Sequence, residues 1–129
     1  MNHSVLIADD EIPVRQMLSL VMQSLGYETI YEAEDGIGAV QLFNKHNPSI
    51  VLLDIRMPAF TGLEALRQIM TSGSKPCVLI ISAADTMALV KACIQSGAAN
   101  YILKNNSPEK IKDIVAQSIQ RWQAKTATT

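Results

Sequence analysis

Ile50-Val51-Leu52-Leu53-Asp54 is a short apolar run closed by a carboxylate, with the helix-stopping pair Asn47-Pro48 before it and Gly62 and a new apolar stripe after it. Four apolar residues cut off so abruptly have the length of a strand and not of a helix. The same unit opens the chain, where Val5-Leu6-Ile7-Ala8 runs straight into Asp9 and Asp10. Thr29 to Tyr31, Val78 to Ile81 and Tyr101 to Leu103 supply three more strands.

Helical spacing fills the gaps between these runs. Val14, Met17, Leu18, Val21, Met22 and Leu25 recur at i, i+3, i+4, i+7 between Pro13 and Gly26, an amphipathic helix with its stop signal. A second helix is expected from Gly38 to His46, ended by Asn47-Pro48, and a third from Leu63 to Met70, ahead of Ser72-Gly73. The fourth runs from Thr86 to Gln95 before Ser96-Gly97. The fifth opens with Ser107 as N-cap and Pro108 at its first position, and carries Ile111, Ile114, Val115, Ser118, Ile119 and Trp122 inward.

Strand and helix in strict alternation predict an α/β fold with helices on both faces of a parallel sheet. Five of each, joined by right-handed crossovers, fit a flavodoxin-like doubly wound five-stranded parallel sheet of order 2-1-3-4-5 with five helices. A single domain over residues 1–124 is expected, with 125–129 as a flexible tail or the start of a linker, because apolar periodicity ends at Ala124.

Composition removes several function classes. The 129 residues carry 11 Lys+Arg against 12 Asp+Glu, a formal charge of -1, so the basic excess of a direct nucleic-acid or anionic-membrane binder is missing. The longest apolar runs, such as Cys77 to Ile81, fall far short of the roughly 20 residues that span a bilayer. Asp9, Asp10 and Glu11 so near the start argue against a secretory signal, and two cysteines, Cys77 and Cys93, suit reduced core packing in a cytoplasmic protein. His3 and His46 alone do not make a zinc site. Gly36-Ile37-Gly38 after a strand is a weak dinucleotide fingerprint, since the third glycine is absent and Glu32, Glu34 and Asp35 would repel a pyrophosphate; no GxxxxGK[ST] loop exists.

In such a sheet the chemistry lies beyond the carboxyl ends of the strands, where the order reverses between strands one and three. Asp9 and Asp10 follow the first strand and Asp54 ends the third, so the fold gathers three carboxylates in one crevice. Two such charges about 4 Å apart repel by roughly 4 kcal/mol at an effective dielectric near 20, so the cluster must hold protons or bind a cation. Oxygen-only donors favour Mg²⁺, with Mn²⁺ as the other candidate. Ser82 after strand four and Lys104 after strand five complete the crevice with a hydroxyl and an ammonium, a setting in which phosphoryl oxygens could each be met and Asp54 could act as a nucleophile toward phosphorus.

With those residues in place the sequence strongly resembles the CheY-like response-regulator receiver family. Its most specific stretch, Leu52 to Gly62, resembles the family's D-x-x-M-P-x-x-x-G segment, here Asp54, Met57, Pro58 and Gly62. The resemblance implies that Asp54 is the phosphoacceptor and that Asp9, Asp10 and Asp54, with the backbone carbonyl of Arg56, hold the metal. It implies further that Ser82 and Lys104 contact the phosphoryl oxygens, and that Ser82 and Tyr101 form the switch, Ala83 leaving room for the approach. Implied partners are a histidine kinase or phosphotransfer protein and a downstream protein target or output domain, reached through the face of helix four, strand five and helix five with Lys91, Gln95, Tyr101 and Trp122. A phosphorylation-dependent homodimer is left open.

Two departures qualify the transfer. The family lysine usually precedes a cis proline, whereas Asn105 follows Lys104, so either a trans bond with a reshaped loop or a strained cis bond is expected. Arg56, two residues after Asp54, is placed to hinder or steer the hydrolytic water, which predicts slow to moderate self-dephosphorylation. Two other readings compete: a phosphorylation-independent pseudo-receiver, and a Mg²⁺-dependent phosphohydrolase, against which the second aspartate such enzymes carry is replaced by Arg56.

Overall fold

A computed structural model describes residues 2–57, 61–83 and 86–127, so Pro58 of the family-like segment, Ala59, Phe60 and the tail residues Thr128 and Thr129 lie outside the described residues. The elements follow the expected alternation: β1 (Asn2–Ala8), α1 (Ile12–Ser24), β2 (Thr29–Ala33), α2 (Gly36–His46), β3 (Pro48–Leu53), α3 (Gly62–Met70), β4 (Cys77–Ser82), α4 (Met87–Gln95), β5 (Asn100–Leu103) and α5 (Pro108–Ala127). All strand pairs are parallel and the sheet order is β2-β1-β3-β4-β5, the predicted doubly wound arrangement.

Alternation along the strands divides the core. Val5, Ile7, Ile50, Leu52, Leu79 and Ile81 face α1 and α5, meeting Leu18, Met22, Ile111 and Val115. Leu6, Ala8, Val51, Leu53, Val78 and Ile80 face the other helices, meeting Ala39 and Phe43 of α2, Leu66 and Ile69 of α3 and Cys93 of α4. Every central strand is covered on both faces, which is why its residues read as continuous apolar runs. Cys77 and Cys93 are free and buried, and burial pushes the Cys77 thiol up to about 12, so it packs as an inert apolar group.

Element ends differ from the sequence expectation for local reasons. α1 starts at Ile12 rather than Val14, because Pro13 sits in the first turn, where a missing N–H costs nothing. α2 starts at Gly36 rather than Gly38, since the Asp35 carboxylate accepts the Gly38 N–H at 2.7 Å and caps the helix earlier. α5 continues through Ala127, past Ala124 where the tail was expected. Gln123, Ala124 and Lys125 are good helix formers, and a solvent-facing turn needs no apolar periodicity to form. No helix among the described residues is long and apolar enough to cross a membrane.

Candidate functional site

Register places the carboxylates. Ala8 of β1 stands opposite Leu53 of β3, and the ladder continues one residue further, with Asp54 N–H donating to Ala8 O at 2.9 Å and Asp9 N–H to Ala33 O at 3.0 Å. Asp9 and Asp54 therefore leave adjacent strands side by side, 1% and 4% exposed. On the far side, Lys104 N–H donates to Ser82 O at 2.9 Å, which carries the ladder past β5 and brings the lysine to the same edge.

The loop after Asp54 is closed by Gly62, whose N–H donates to Ile55 O at 3.0 Å. The approach is so close that a Cβ on Gly62 would stand 2.1 Å from Asp54 O and 2.5 Å from Ile55 Cα. Glycine is required here by space and not by dihedral. The Thr61 hydroxyl caps α3 by accepting from Glu64 N–H, while Ile55 and Met57 are buried in the core.

Lys104 Nζ is the centre of the site. It lies 3.0 Å from Asp54 Oδ2, 2.9 Å from Asp9 Oδ2 and 2.8 Å from Glu11 Oε1. Burial by itself would lower its basicity, but the three carboxylates of Glu11, Asp9 and Asp54 around it outweigh that and hold the ammonium above the usual lysine range. Burial raises the Asp9 carboxyl above its ordinary 3.8, against the Glu11 N–H and the Lys104 ammonium, with the Asp54 charge adding to the rise. The other oxygens have backbone donors: Glu11 N–H gives 2.8 Å to Asp9 Oδ1, and Arg56 N–H gives 3.2 Å to Asp54 Oδ1.

Each of Asp9, Asp10 and Asp54 offers a carboxylate oxygen within 4.8 Å of the others, with Asp10 exposed at the mouth. Asp9 Oδ2 is fully buried and has no hydrogen-bond partner among the described residues, compensated by the Lys104 charge alone. A hard, all-oxygen donor set, with one buried carboxylate oxygen met by a lysine charge and no hydrogen bond, fits a small divalent cation. A cavity of about 230 Å³ opens above Asp54, lined by Asp10, Glu11, Arg56, Ser82 and Lys104 as well as Asp54 itself.

The predicted site residues thus meet at one edge. Ser82 is fully buried at the end of β4. Tyr101, half-buried on β5 opposite Ile80, packs against the core on the Ser82 side; burial raises its phenol, and a hydrogen bond with the Ser82 side chain works against that rise. Arg56 is exposed at the cavity wall. The Lys104–Asn105 peptide is trans, in a turn closed by the Asn106 side-chain amide donating to Leu103 O at 3.0 Å, and the lysine still reaches Asp54. Of the two geometries Asn105 left open, the trans one is present.

Two site residues escaped the sequence reading. Glu11 pairs with Lys104, a contact whose only trace in the chain is a third acid directly after Asp9-Asp10. Arg15, one turn into α1, donates through Nη1 to Asp9 O at 2.6 Å and through Nε to Glu32 at 3.2 Å, fixing the backbone beneath the carboxylates. Its helical spacing marks it only as a polar-face residue.

Compared with known proteins, residues 5–116 match the family model described as the response regulator receiver domain. The chain is 30% identical to the chemotaxis protein CheY of Bacillus subtilis over 119 residues, covering 92% of this chain and 99% of that one. Its fold is similar to a chain of the CheX-CheY-BeF3-Mg²⁺ complex from Borrelia burgdorferi, with a TM-score of 0.82, 34% identity and coverage of 94% and 89%. It is also similar to the signal receiver domain of the response regulator NarL from Mycobacterium tuberculosis, with a TM-score of 0.80, 31% identity and coverage of 90% and 94%.

Proposed function

The chain belongs to the response-regulator receiver family, and on that premise we propose that it is a phosphorylation-dependent signalling switch whose phosphoacceptor is Asp54. The observation that carries this reading is the buried Asp54 carboxylate with Lys104 Nζ 3.0 Å away, at the floor of a cavity walled by Ser82 and Arg56. The donor is a phosphohistidine of a histidine kinase or phosphotransfer protein. An Asp54 oxygen attacks its phosphorus, and an O–P bond forms as the N–P bond breaks. The imidazole nitrogen keeps the electron pair and takes a proton from solvent.

Asp9, Asp10 and Asp54, with the Arg56 carbonyl, would hold Mg²⁺, or Mn²⁺ in its place; when bound it supplies positive charge against the transferred oxygens. Lys104 and Ser82 each meet a phosphoryl oxygen, the lysine as a charge already inside the site and the serine as a donor. The chain's own chemistry is confined to gaining and losing this group, so it acts as a switch and not as an enzyme with a turned-over substrate.

Phosphorylation takes Asp54 from one negative charge to about two and adds three acceptor oxygens. Ser82 is drawn toward them and leaves Tyr101, beside which its hydroxyl now stands, free to settle deeper. A differential of a few kcal/mol inverts a two-state population of a few per cent. The change is read on the face of α4, β5 and α5, which carries Lys91, Gln95, Tyr101 and Trp122, by a protein target or output domain. The setting is cytoplasmic, and neither nucleic acid nor membrane is contacted directly.

Titration of the ¹⁵N-labelled chain with beryllofluoride and Mg²⁺ tests the switch. Shifts are expected around Asp54 and also along α4, β5 and the start of α5, including Lys91 and Tyr101. Shifts confined to the loops bearing Asp9, Asp54 and Lys104 would leave a site that binds but does not signal.

A further inference from the structure

Glu11 occupies the N-cap position of α1, yet its side chain makes no capping hydrogen bond to its own helix. The Ser/Thr/Asp residues at the starts of α2, α3 and α4, namely Asp35, Thr61 and Thr86, all turn back to do so. Glu11 instead extends to Lys104, and its 2.8 Å contact is the shortest of the three that the ammonium makes. Glu11 is 59% exposed, whereas Asp9 and Asp54 are buried beneath the ammonium.

The three contacts have different fates. The ammonium donates hydrogen bonds to Glu11 and Asp54 and stands as an ion pair 2.9 Å from Asp9 Oδ2. On the proposed function, on which this inference rests, Asp9 and Asp54 are the two that a divalent cation and a phosphoryl group redirect. Glu11 is not one of the trio whose oxygens lie within 4.8 Å of one another, so on the proposed function its contact with the lysine is not displaced by the cation. The lysine springs from the turn at residues 104–106, its side chain 12% exposed and its neighbour Asn105 exposed, so that the position of the ammonium at the cavity edge is set by the carboxylates it meets. A four-carbon chain left with no partner would lose its fixed position just as the anion arrives.

We propose that Glu11 is a positioning residue: it tethers the Lys104 ammonium at the mouth of the cavity above Asp54, so that the lysine is already in place when an anionic phosphoryl group enters. The direction of the expected effect sets the tether apart from simple charge. Glu11 is an anion at the wall of an anion-accepting cavity, and by field alone its removal would strengthen anion binding. A tether predicts the opposite.

The test is binding of beryllofluoride in saturating Mg²⁺, followed by ¹⁹F NMR, alongside Mg²⁺ binding alone by calorimetry. The samples are the full chain, Glu11→Ala, Glu11→Gln, Lys104→Ala and the Glu11→Ala/Lys104→Ala double variant. Glu11→Ala should weaken beryllofluoride binding about five- to tenfold and leave Mg²⁺ affinity within about twofold, with Glu11→Gln between the two because it keeps an acceptor oxygen without the charge. In the Lys104→Ala background the Glu11 effect should vanish. Because Lys104→Ala itself weakens binding, the same cycle is also run on initial rates of labelling by acetyl phosphate, which remain measurable over long incubations. Unchanged or tighter binding in Glu11→Ala, or a loss that persists without Lys104, would overturn the tether. A native chain that binds no beryllofluoride would overturn the receiver reading itself, a result recognisable before any variant is compared.

Discussion

Gly62 stands against the backbone of Asp54 with no room for a single added carbon, a Cβ there falling 2.1 Å from the Asp54 carbonyl oxygen. The start of α3 is thereby locked onto the backbone of Asp54 and Ile55, and the Gly62 N–H to Ile55 O bond at 3.0 Å depends on that approach.

Gly62→Ala must therefore push backbone against backbone. A loss of about 2 kcal/mol or more is expected, lowering Tm by roughly 6–10 °C. Gly26→Ala provides the contrast: its φ of +97° disfavours a side chain but nothing lies within 4 Å, so the cost is the dihedral alone, about 1–2 kcal/mol. Thermal melts of the two variants should rank Gly62→Ala as the more damaging, with the larger loss of Mg²⁺ binding.

Lys104 is the counter-charge for a crowded acidic cluster. Lys104→Ala leaves Asp9 Oδ2 buried with neither hydrogen bond nor ion pair, and without divalent ion a loss of roughly 3 kcal/mol is expected. Added Mg²⁺ should then restore more stability to this variant than to the native chain, because it meets carboxylates that have no other cation. Denaturant melts with EDTA and with Mg²⁺ measure both differences.

The Asp9 carboxyl has a folded-state pKa raised above 3.8, first by burial, so the folded chain holds that proton more tightly than the unfolded chain does. Stability from this group is therefore present below its unfolded value and is lost as pH rises through the folded one. In EDTA, Asp9→Asn mimics the neutral form and should be more stable than the native chain at pH 7, with the gap closing as pH falls toward 4. Lys104 runs in the alkaline window: its raised pKa adds stability that is full below 10.5 and is lost above it. A native chain that gained on Asp9→Asn between pH 4 and 7 would contradict the burial argument.

Arg56 is exposed at the wall of the cavity above Asp54, and on the proposed function it stands beside the approach of a hydrolytic water. Arg56→Ala should shorten the lifetime of the phosphorylated chain about threefold, a change of well under 1 kcal/mol in the barrier. Decay of the labelled protein after removal of the donor reads this directly, and an unchanged lifetime would remove Arg56 from the account.

Sheet order and the meeting of the candidate site residues at one edge could be read from the chain because both depend on features that survive in one dimension. Leu6, Val51, Val78 and their neighbours are buried on both faces, so their strands appear as unbroken apolar runs, and Asp9 and Asp54 end the two runs that the topology makes adjacent. Element ends were less legible. The starts of β1 and β3 at Asn2 and Pro48 depend on each other as partners across the sheet, which no local pattern records. Glu11 was hidden for a related reason: its contact is with a lysine 93 residues away, and nothing local marks one more acid after Asp9-Asp10 as that lysine's partner. The trans bond at Asn105 could not be chosen from sequence either, because the reach of Lys104 depends on how the turn after β5 folds back.

The central claim is that Asp54 takes a phosphoryl group in this site, and intact-protein mass after incubation with acetyl phosphate tests it most directly. A single hydroxylamine-labile adduct is expected with Mg²⁺ present, absent in EDTA and absent from Asp54→Asn. An adduct of equal yield on Asp54→Asn, or none on the folded native chain with Mg²⁺, would contradict it.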